Sequence, residues 1–301
     1  MKKLILTVTI IASSFASFAQ VGIGTTSPHA SAILEISSTT KGFLPPRMNK
    51  TEMDLITNVT GLMVYCTNCI PKGLFYSTEG AFVSVMNGVV SIPAAITLET
   101  DEIYSATGKI WKDRNLGASQ VATTSNDYLS YGNLYQWGRG SDGHEVIVWT
   151  TATTSDGTEK ARETAINAPS ATPGHPDFIV EPDEPYDWLV NKDDTLWQGI
   201  SGTNNPCPAG FRIPTETELN NELALFHSKN TSGAFNSILI LPSTGYRTST
   251  TGNLTNTASF GYYWSSTTTS TEARYLYLAN ASANMGGSFR GHGFSIRCIK
   301  D

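Results

Sequence analysis

Apolar and polar residues alternate over short stretches along this chain, and few stretches hold a helical period. Residues 61–65, 73–76 and 81–85 are apolar runs bounded by turn residues, which predicts the strands of a small meander. Residues 32–36 predict a short strand, and residues 21–28 an extended segment punctuated by Gly and Pro. Pro45 and Pro46 fix φ and stiffen a turn over 42–48, and residues 51–56 have room for one or two helical turns. Further on, 110–117 predicts a strand running into a turn. Tyr128, Tyr131 and Tyr135 stand near helical spacing and predict a short helix over 127–137.

The clearest helix signal begins at Thr215. Thr215 and Glu218 form a capping box, and Leu219, Leu223 and Phe226 recur on one face, giving a helix from Glu216 to about His227. Residues 237–241 predict a buried strand ended by Pro242, and Thr250 to Asn253 a turn between strands. In 273–278, Leu276 and Leu278 share one face while Tyr275 and Tyr277 share the other. Phe294, Ile296 and Cys298 share a face of the last strand, opposite Ser295 and Arg297. Residues 146–196 show little periodicity and predict a long surface excursion.

Composition fits that pattern. Of the 301 residues, 15% are charged and 40% hydrophobic, with abundant Ser, Thr, Gly and Asn, as in exported β-rich proteins with many turns. Residues 1–19 have the build of a secretory leader: Lys2 and Lys3, an apolar run over 4–11, and small residues at Ser17 and Ala19. That run is too short for a membrane span, and no second candidate follows, so the chain is expected to be secreted or displayed at the cell surface. Loss of Lys2 and Lys3 leaves 18 basic against 26 acidic side chains, a net charge of -8 rather than -6. Such a balance excludes a nucleic-acid binder, which needs a basic footprint.

Cys66, Cys69, Cys207 and Cys298 allow three pairings. The economical one joins Cys66 to Cys69 and Cys207 to Cys298. A Cys-x-x-Cys metal or redox site is the rival for the first pair, but it lacks a second pair or a βαβ setting. Gly138 to Gly143 is not a phosphate cradle, having no following Lys-Ser/Thr. Asp177, Glu181, Asp183, Glu184, Asp187, Asp193 and Asp194 are the oxygen ligands calcium takes, but without the spacing of an EF-hand loop; a solvated acidic loop is the favoured alternative, and no cofactor is expected. The five histidines have no metal spacing, and no Gly-x-Ser-x-Gly elbow occurs.

Two resemblances extend these expectations. Val21-Gly22-Ile23-Gly24-Thr25 and Ser38-Thr39-Thr40-Lys41-Gly42-Phe43-Leu44-Pro45-Pro46-Arg47-Met48 resemble a stalk module of exported Bacteroidetes proteins and of phage tail-fibre-like chains. The resemblance implies a β-rich stalk over 20–86, followed by a linker over 87–103. It offers a homotrimer as one arrangement and an independent small β module as the other. Trp111 to Ala118, Tyr135 to Arg139, Leu196 to Gly199, Asn205 to Thr215, Tyr263 to Ser266 and Phe294 to Cys298 are similar to the Fibrobacter succinogenes major paralogous domain, over 104–301. That family's likeness to C-type lectins implies an α+β domain with long loops, closed by Cys207 and Cys298.

In that fold group ligands meet the loops before the last strand, here residues 279–292. Asn280, Ser282, Asn284, Phe289, Arg290 and His292 are the ligand-binding candidates: amides and guanidinium for directed hydrogen bonds, rings for stacking. The implied function is a non-catalytic surface protein that binds a glycan or a protein. A secreted enzyme or accessory acting on polysaccharide is the alternative. The catalytic cysteine pair of the related formylglycine-generating enzyme is not carried over, because Cys207 and Cys298 have the bridging role. Glu181-Pro182-Asp183 resembles a calcium-lectin triplet but lies far before the core strands.

Overall fold

The structure, a computed structural model, describes residues 20–301 apart from 70–71, 79–81, 86–95, 106, 159–161 and 165–167. The expected leader over 1–19 and most of the expected linker over 87–103 lie outside the described residues. The N-terminal module contains β1 (Val21–Ile23), β2 (Leu34–Ile36), β3 (Arg47–Met48), α1 (Lys50–Asp54), β4 (Met63–Cys66), β5 (Gly73–Ser77) and β6 (Phe82–Ser84). β1 and β2 pair in parallel as a separate two-stranded ribbon, while β3-β4-β5-β6 form one sheet. The expected meander is present in β4 to β6. Met53, Val64, Phe75 and Phe82 pack with the Cys66–Cys69 disulfide in a small core. Asn49 caps α1, its side chain accepting from the Glu52 amide while the Glu52 carboxylate accepts from the Asn49 amide.

The larger domain is built from small sheets. β7 (Glu102–Tyr104), β8 (Ile110–Lys112), β12 (Phe211–Arg212) and β19 (Ile299–Lys300) form one, in the order β12-β19-β8-β7. β9 (Tyr135–Gln136), β13 (Tyr246–Arg247), β14 (Leu254–Thr255) and β18 (Gly293–Phe294) form a second, in the order β14-β13-β18-β9. β15 (Gly261–Thr268), β16 (Ala273–Leu278) and β17 (Ala283–Ser288) form an antiparallel third. β10 (Arg162–Thr164) and β11 (Phe178–Val180) make a parallel pair. The described helices are α1, α2 (Glu216–Ala224) and α3 (Thr231–Phe235), of 5, 9 and 5 residues.

The expected α+β, C-type-lectin-like class is therefore corrected: the fold is mostly β, with only short helices. The physical reason lies in the sequence's own punctuation. The helix expected over 127–137 is one 3-10 turn, Tyr128–Ser130, followed by β9. Gly132 sits at φ 69, and a Cβ there would meet the Leu116 carbonyl oxygen at 2.4 Å, so the chain turns instead of coiling. The strand expected over 237–241 is also absent. The Ser237 hydroxyl donates to Ala234 O and accepts from the Leu239 amide, and Ile240 takes φ 47, which folds that stretch into a turn. α2 forms as its cap predicts and ends three residues early, at Ala224.

The stretch 146–196 is the largest departure from expectation. β11 is buried throughout, and Trp188, Leu189, Leu196 and Trp197 belong to the principal core with Trp137, Trp264, Phe294 and Ile296. Its weak periodicity reflects irregular backbone held by side chains rather than exposure. The Trp188 indole donates to Trp137 O at 2.7 Å and the Trp197 indole to Asn204 O at 3.0 Å, while Gln136 Nε2 donates to Ile179 O at 2.8 Å. A second core fills the space between α2 and the third sheet, using Leu219, Leu223, Phe226, Tyr263, Leu276 and Leu278.

Cys207 and Cys298 are bonded, closing a loop of sequence separation 91. Replacing both by Ser is expected to lower the unfolding free energy by about 4 kcal/mol in the chain-entropy account. Urea titration of the double variant against wild type checks this. An unchanged midpoint would show that the bridge contributes nothing to the fold.

Candidate functional site

The third sheet has two unlike faces. Residues 274, 276 and 278 of β16 point toward α2, where Leu276 and Leu278 are buried. The register of the sheet places Tyr262 opposite Tyr277, Trp264 opposite Tyr275, Tyr275 opposite Gly286, and Tyr277 opposite Asn284. All of these share the other face, because side chains directly opposite one another point to the same side. Trp264 is buried there and stacks on Phe294 with centroids 4.1 Å apart. Above it the rings continue outward and become half-buried.

Tyr277 lies 5.4 Å from Tyr262 and 5.9 Å from Phe260, Tyr262 lies 4.7 Å from Tyr246, and Tyr246 lies 5.2 Å from His292. His292 leads on to Phe289 at 6.0 Å, and Phe289 to Tyr186 at 4.6 Å. The result is one continuous ribbon of rings along the domain surface, with Tyr262 forming its buried bed. Burial pushes the phenols of Tyr246 and Tyr275 upward, so both are neutral donors and acceptors at neutral pH. Asn256 Nδ2 donates to the Tyr262 hydroxyl at 2.9 Å, bringing an exposed amide to the rim.

The six sequence-predicted ligand residues do not form one loop. β17 occupies the middle of 279–292 and separates them, with roughly 17 Å between its ends at the usual rise of a strand. Asn280 and Ser282 are exposed at the β16–β17 turn, where Asn280 Oδ1 accepts from the Thr231 hydroxyl at 3.2 Å. Asn284, beside Tyr277, lies on the aromatic face. Phe289 and His292 belong to the far part of the ribbon. Arg290 is buried: its guanidinium stands 4.6 Å over the Trp137 ring and pairs with the Asp194 carboxylate, so it anchors the 187–194 segment. Tyr246, Phe260, Tyr262, Tyr275 and Tyr277 are the members that sequence reasoning missed. The alternation of 273–278 carried the signal for two of them.

The acidic residues of 177–194 do not converge either. Asp187 Oδ1 accepts from the Leu189 amide, Glu181 Oε1 from the Asp183 amide, Asp193 Oδ1 from Thr195, and Asp194 from Arg290. A different group, Asp142, His144 and Glu145, has its ligand atoms within 4.8 Å of one another. Both ring nitrogens of His144 are already engaged. Nδ1 donates to Asp142 Oδ1 at 2.7 Å, Nε2 accepts from the Gln136 amide at 3.1 Å, and Arg139 pairs with Asp142 at 2.8 Å. This arrangement gives β9 a hydrogen-bonded support. Two clefts, of about 320 Å³ beside Asp113 and Cys298 and about 430 Å³ beside Asp142 and His175, lie away from the ribbon's rings.

His144 and His292 share one property. Burial pushes both imidazoles down to about 4, and His292 Nδ1 also accepts from the Ser249 amide at 2.9 Å. An unfolded histidine protonates near pH ~6.5, so each residue's contribution is complete above that pH and declines until about pH 4. The decline is about 1.4 kcal/mol per pH unit for each histidine. The buried carboxyls of Glu145, Asp187 and Glu222 are pushed up and act in the opposite sense, so the difference between chains is the informative quantity. His292→Asn is expected to remove one proton's worth of slope from the melting-temperature profile between pH 6.5 and 4. NMR titration showing either imidazole near its ordinary value would contradict this.

Residues 22–112 match a family model described as a phage tail like trimerisation region. No curated protein and no solved structure matches the chain. The N-terminal part is thus similar to a tail-fibre-like trimerisation module, a likeness that supports a homotrimer. Its last residues reach β7 and β8, which pair within the sheet of the larger domain. Among the described residues, no helix is long and apolar enough to cross a membrane.

Proposed function

We propose that the chain is an exported, adhesin- or tail-fibre-like surface protein that trimerises through its N-terminal module. Its larger domain is then the head, presented to a glycan or protein ligand for binding without catalysis. The match over 22–112 supports the stalk, and the motifs resembling the Fibrobacter succinogenes major paralogous domain support the head. His144, buried, and His292, half-buried, support binding over catalysis, since each already accepts a backbone amide hydrogen bond.

One observation carries the proposal. The parallel register sets Val21 beside Leu34 and Ile23 beside Ile36, so four apolar side chains share one face of the β1–β2 ribbon. All four are exposed, as are Ile33 at 80% and Leu44 at 76%. Isolated two-stranded ribbons are marginal in water, and contiguous apolar surface on a monomer marks an interface. Covering that face with copies of itself supplies the core that the small module lacks.

Light scattering on the eluting protein is expected to give three times the chain mass. The double variant Ile23→Asp and Leu34→Asp, which places carboxylates on the apolar face, is expected to run as a single chain with the head's near-UV signature retained. A wild-type mass of one chain at micromolar concentration would remove the proposal.

A further inference from the structure

We infer that the aromatic ribbon of the head is a binding site for a neutral, extended glycan, which rests on the surface-protein assignment above and names its ligand class. Charge is the first ground. On the face of the third sheet turned away from α2, Tyr262, Trp264 and Ala273 are buried, and the register leaves Tyr275, Tyr277, Asn284, Gly286 and Ser288 at the accessible edge, none of them an acidic or basic side chain. Arg274 points to the opposite face, where it pairs with Glu216 at 2.7 Å. A net acidic chain that keeps one aromatic face free of charge suits an uncharged ligand.

Shape is the second ground. β17 is an edge strand, and Gly286 lies directly across from Tyr275. A Cβ at Gly286 would stand 3.0 Å from the Tyr275 ring, so any side chain there would displace or cover it. The glycine leaves that ring open at the sheet's edge. Tyr277, next along the face, is flanked by the exposed Asn284 amide. Half-buried rings with amides at the rim match a pyranose, which offers an apolar C–H face and equatorial hydroxyls.

Extent is the third ground. Ring centroids follow one another at 4.6 to 6.0 Å from Phe260 to Tyr186, so several sugar units in a row find a platform. The rings are held by packing on Trp264 and Phe294, so little ordering is needed on binding.

The test uses the full chain on a glycan array and in calorimetry, with cello-, xylo-, manno- and β-1,3-gluco-oligosaccharides as neutral probes. Sialylated and sulfated glycans form the charged arm. At least one neutral series is expected to bind, with affinity rising with length. Tyr277→Ala and Gly286→Val are each expected to weaken it about ten-fold or more, while Tyr277→Phe, which keeps the ring, retains it. Leu225→Ser, exposed at the end of α2 on the other side, is expected to bind as wild type. Near-UV circular dichroism and melting temperature establish that each variant is folded. Binding confined to charged glycans, or neutral binding undiminished in folded Tyr277→Ala, would overturn the inference. A trimer that binds no glycan also overturns it and leaves the surface-protein assignment standing. A single-chain protein that binds neutral glycans through Tyr277 supports it while removing the stalk.

Discussion

The larger domain depends on the burial of its final segment, Gly293 to Ile299, as a single thread through three sheets. β18 pairs with β9 and β13, Ser295 exchanges hydrogen bonds with the backbone of β15, and β19 pairs with β8 and β12. Between those strands, Ile296 O accepts from the Leu116 amide at 2.9 Å and Cys298 O from the Lys112 amide at 2.9 Å. No residue from Gly293 to Ile299 is exposed, so every backbone polar group there must find a partner within the protein. Arg297 shows the same constraint in a side chain. Its guanidinium is buried, is pushed down to about 10 by burial, and donates to Asn115 Oδ1 at 2.9 Å and to Leu239 O at 2.5 Å. Asn115 in turn donates to Tyr131 O at 3.1 Å.

Sheets of two to eight residues per strand have few ladder hydrogen bonds, and the indoles supply part of what is missing. Trp137 donates to Ser265 O and Trp264 to Tyr135 O, both at 2.8 Å, tying β9 to β15 from both sides. With the indoles of Trp188 and Trp197 fixed as well, irregular backbone is held in register without long strands. The same packing gives the outer aromatic face its rigidity, since Phe294 is both part of the thread and the support beneath the ribbon. The larger domain thus has its rings fixed from within. Among the described residues nothing covers the apolar face of the β1–β2 ribbon, which is the observation behind the proposed packing of copies against it.

Local signals in the sequence were legible where a local interaction decides the outcome. The capping box at Thr215 set the start of α2, the alternation of 273–278 set the two faces of β16, and the Gly-bounded apolar runs set β4 to β6. Position along the chain failed where distant contacts decide. Phe178 to Val180 and Trp188 are core residues inside a polar, aperiodic stretch, because their partners are Gln136 and Trp137. Arg290 looked like a surface reader and is an anchor, since Trp137 and Asp194 enclose it. Of the ribbon, only Asn284, Phe289 and His292 were named from sequence. Tyr246 and Phe260 join them through a sheet crossing that has no signature in local spacing.

Native-state hydrogen exchange tests the central role of the final thread most directly. The amides of Lys112, Leu116, Trp264 and Ser295, which donate to or come from that segment, are expected to exchange only through global unfolding, with a denaturant dependence equal to that of the whole domain. Exchange of these amides at the rates of exposed turns, while the β15–β16 pairing stayed protected, would show that the thread is an appendage and not the element on which the sheets are assembled.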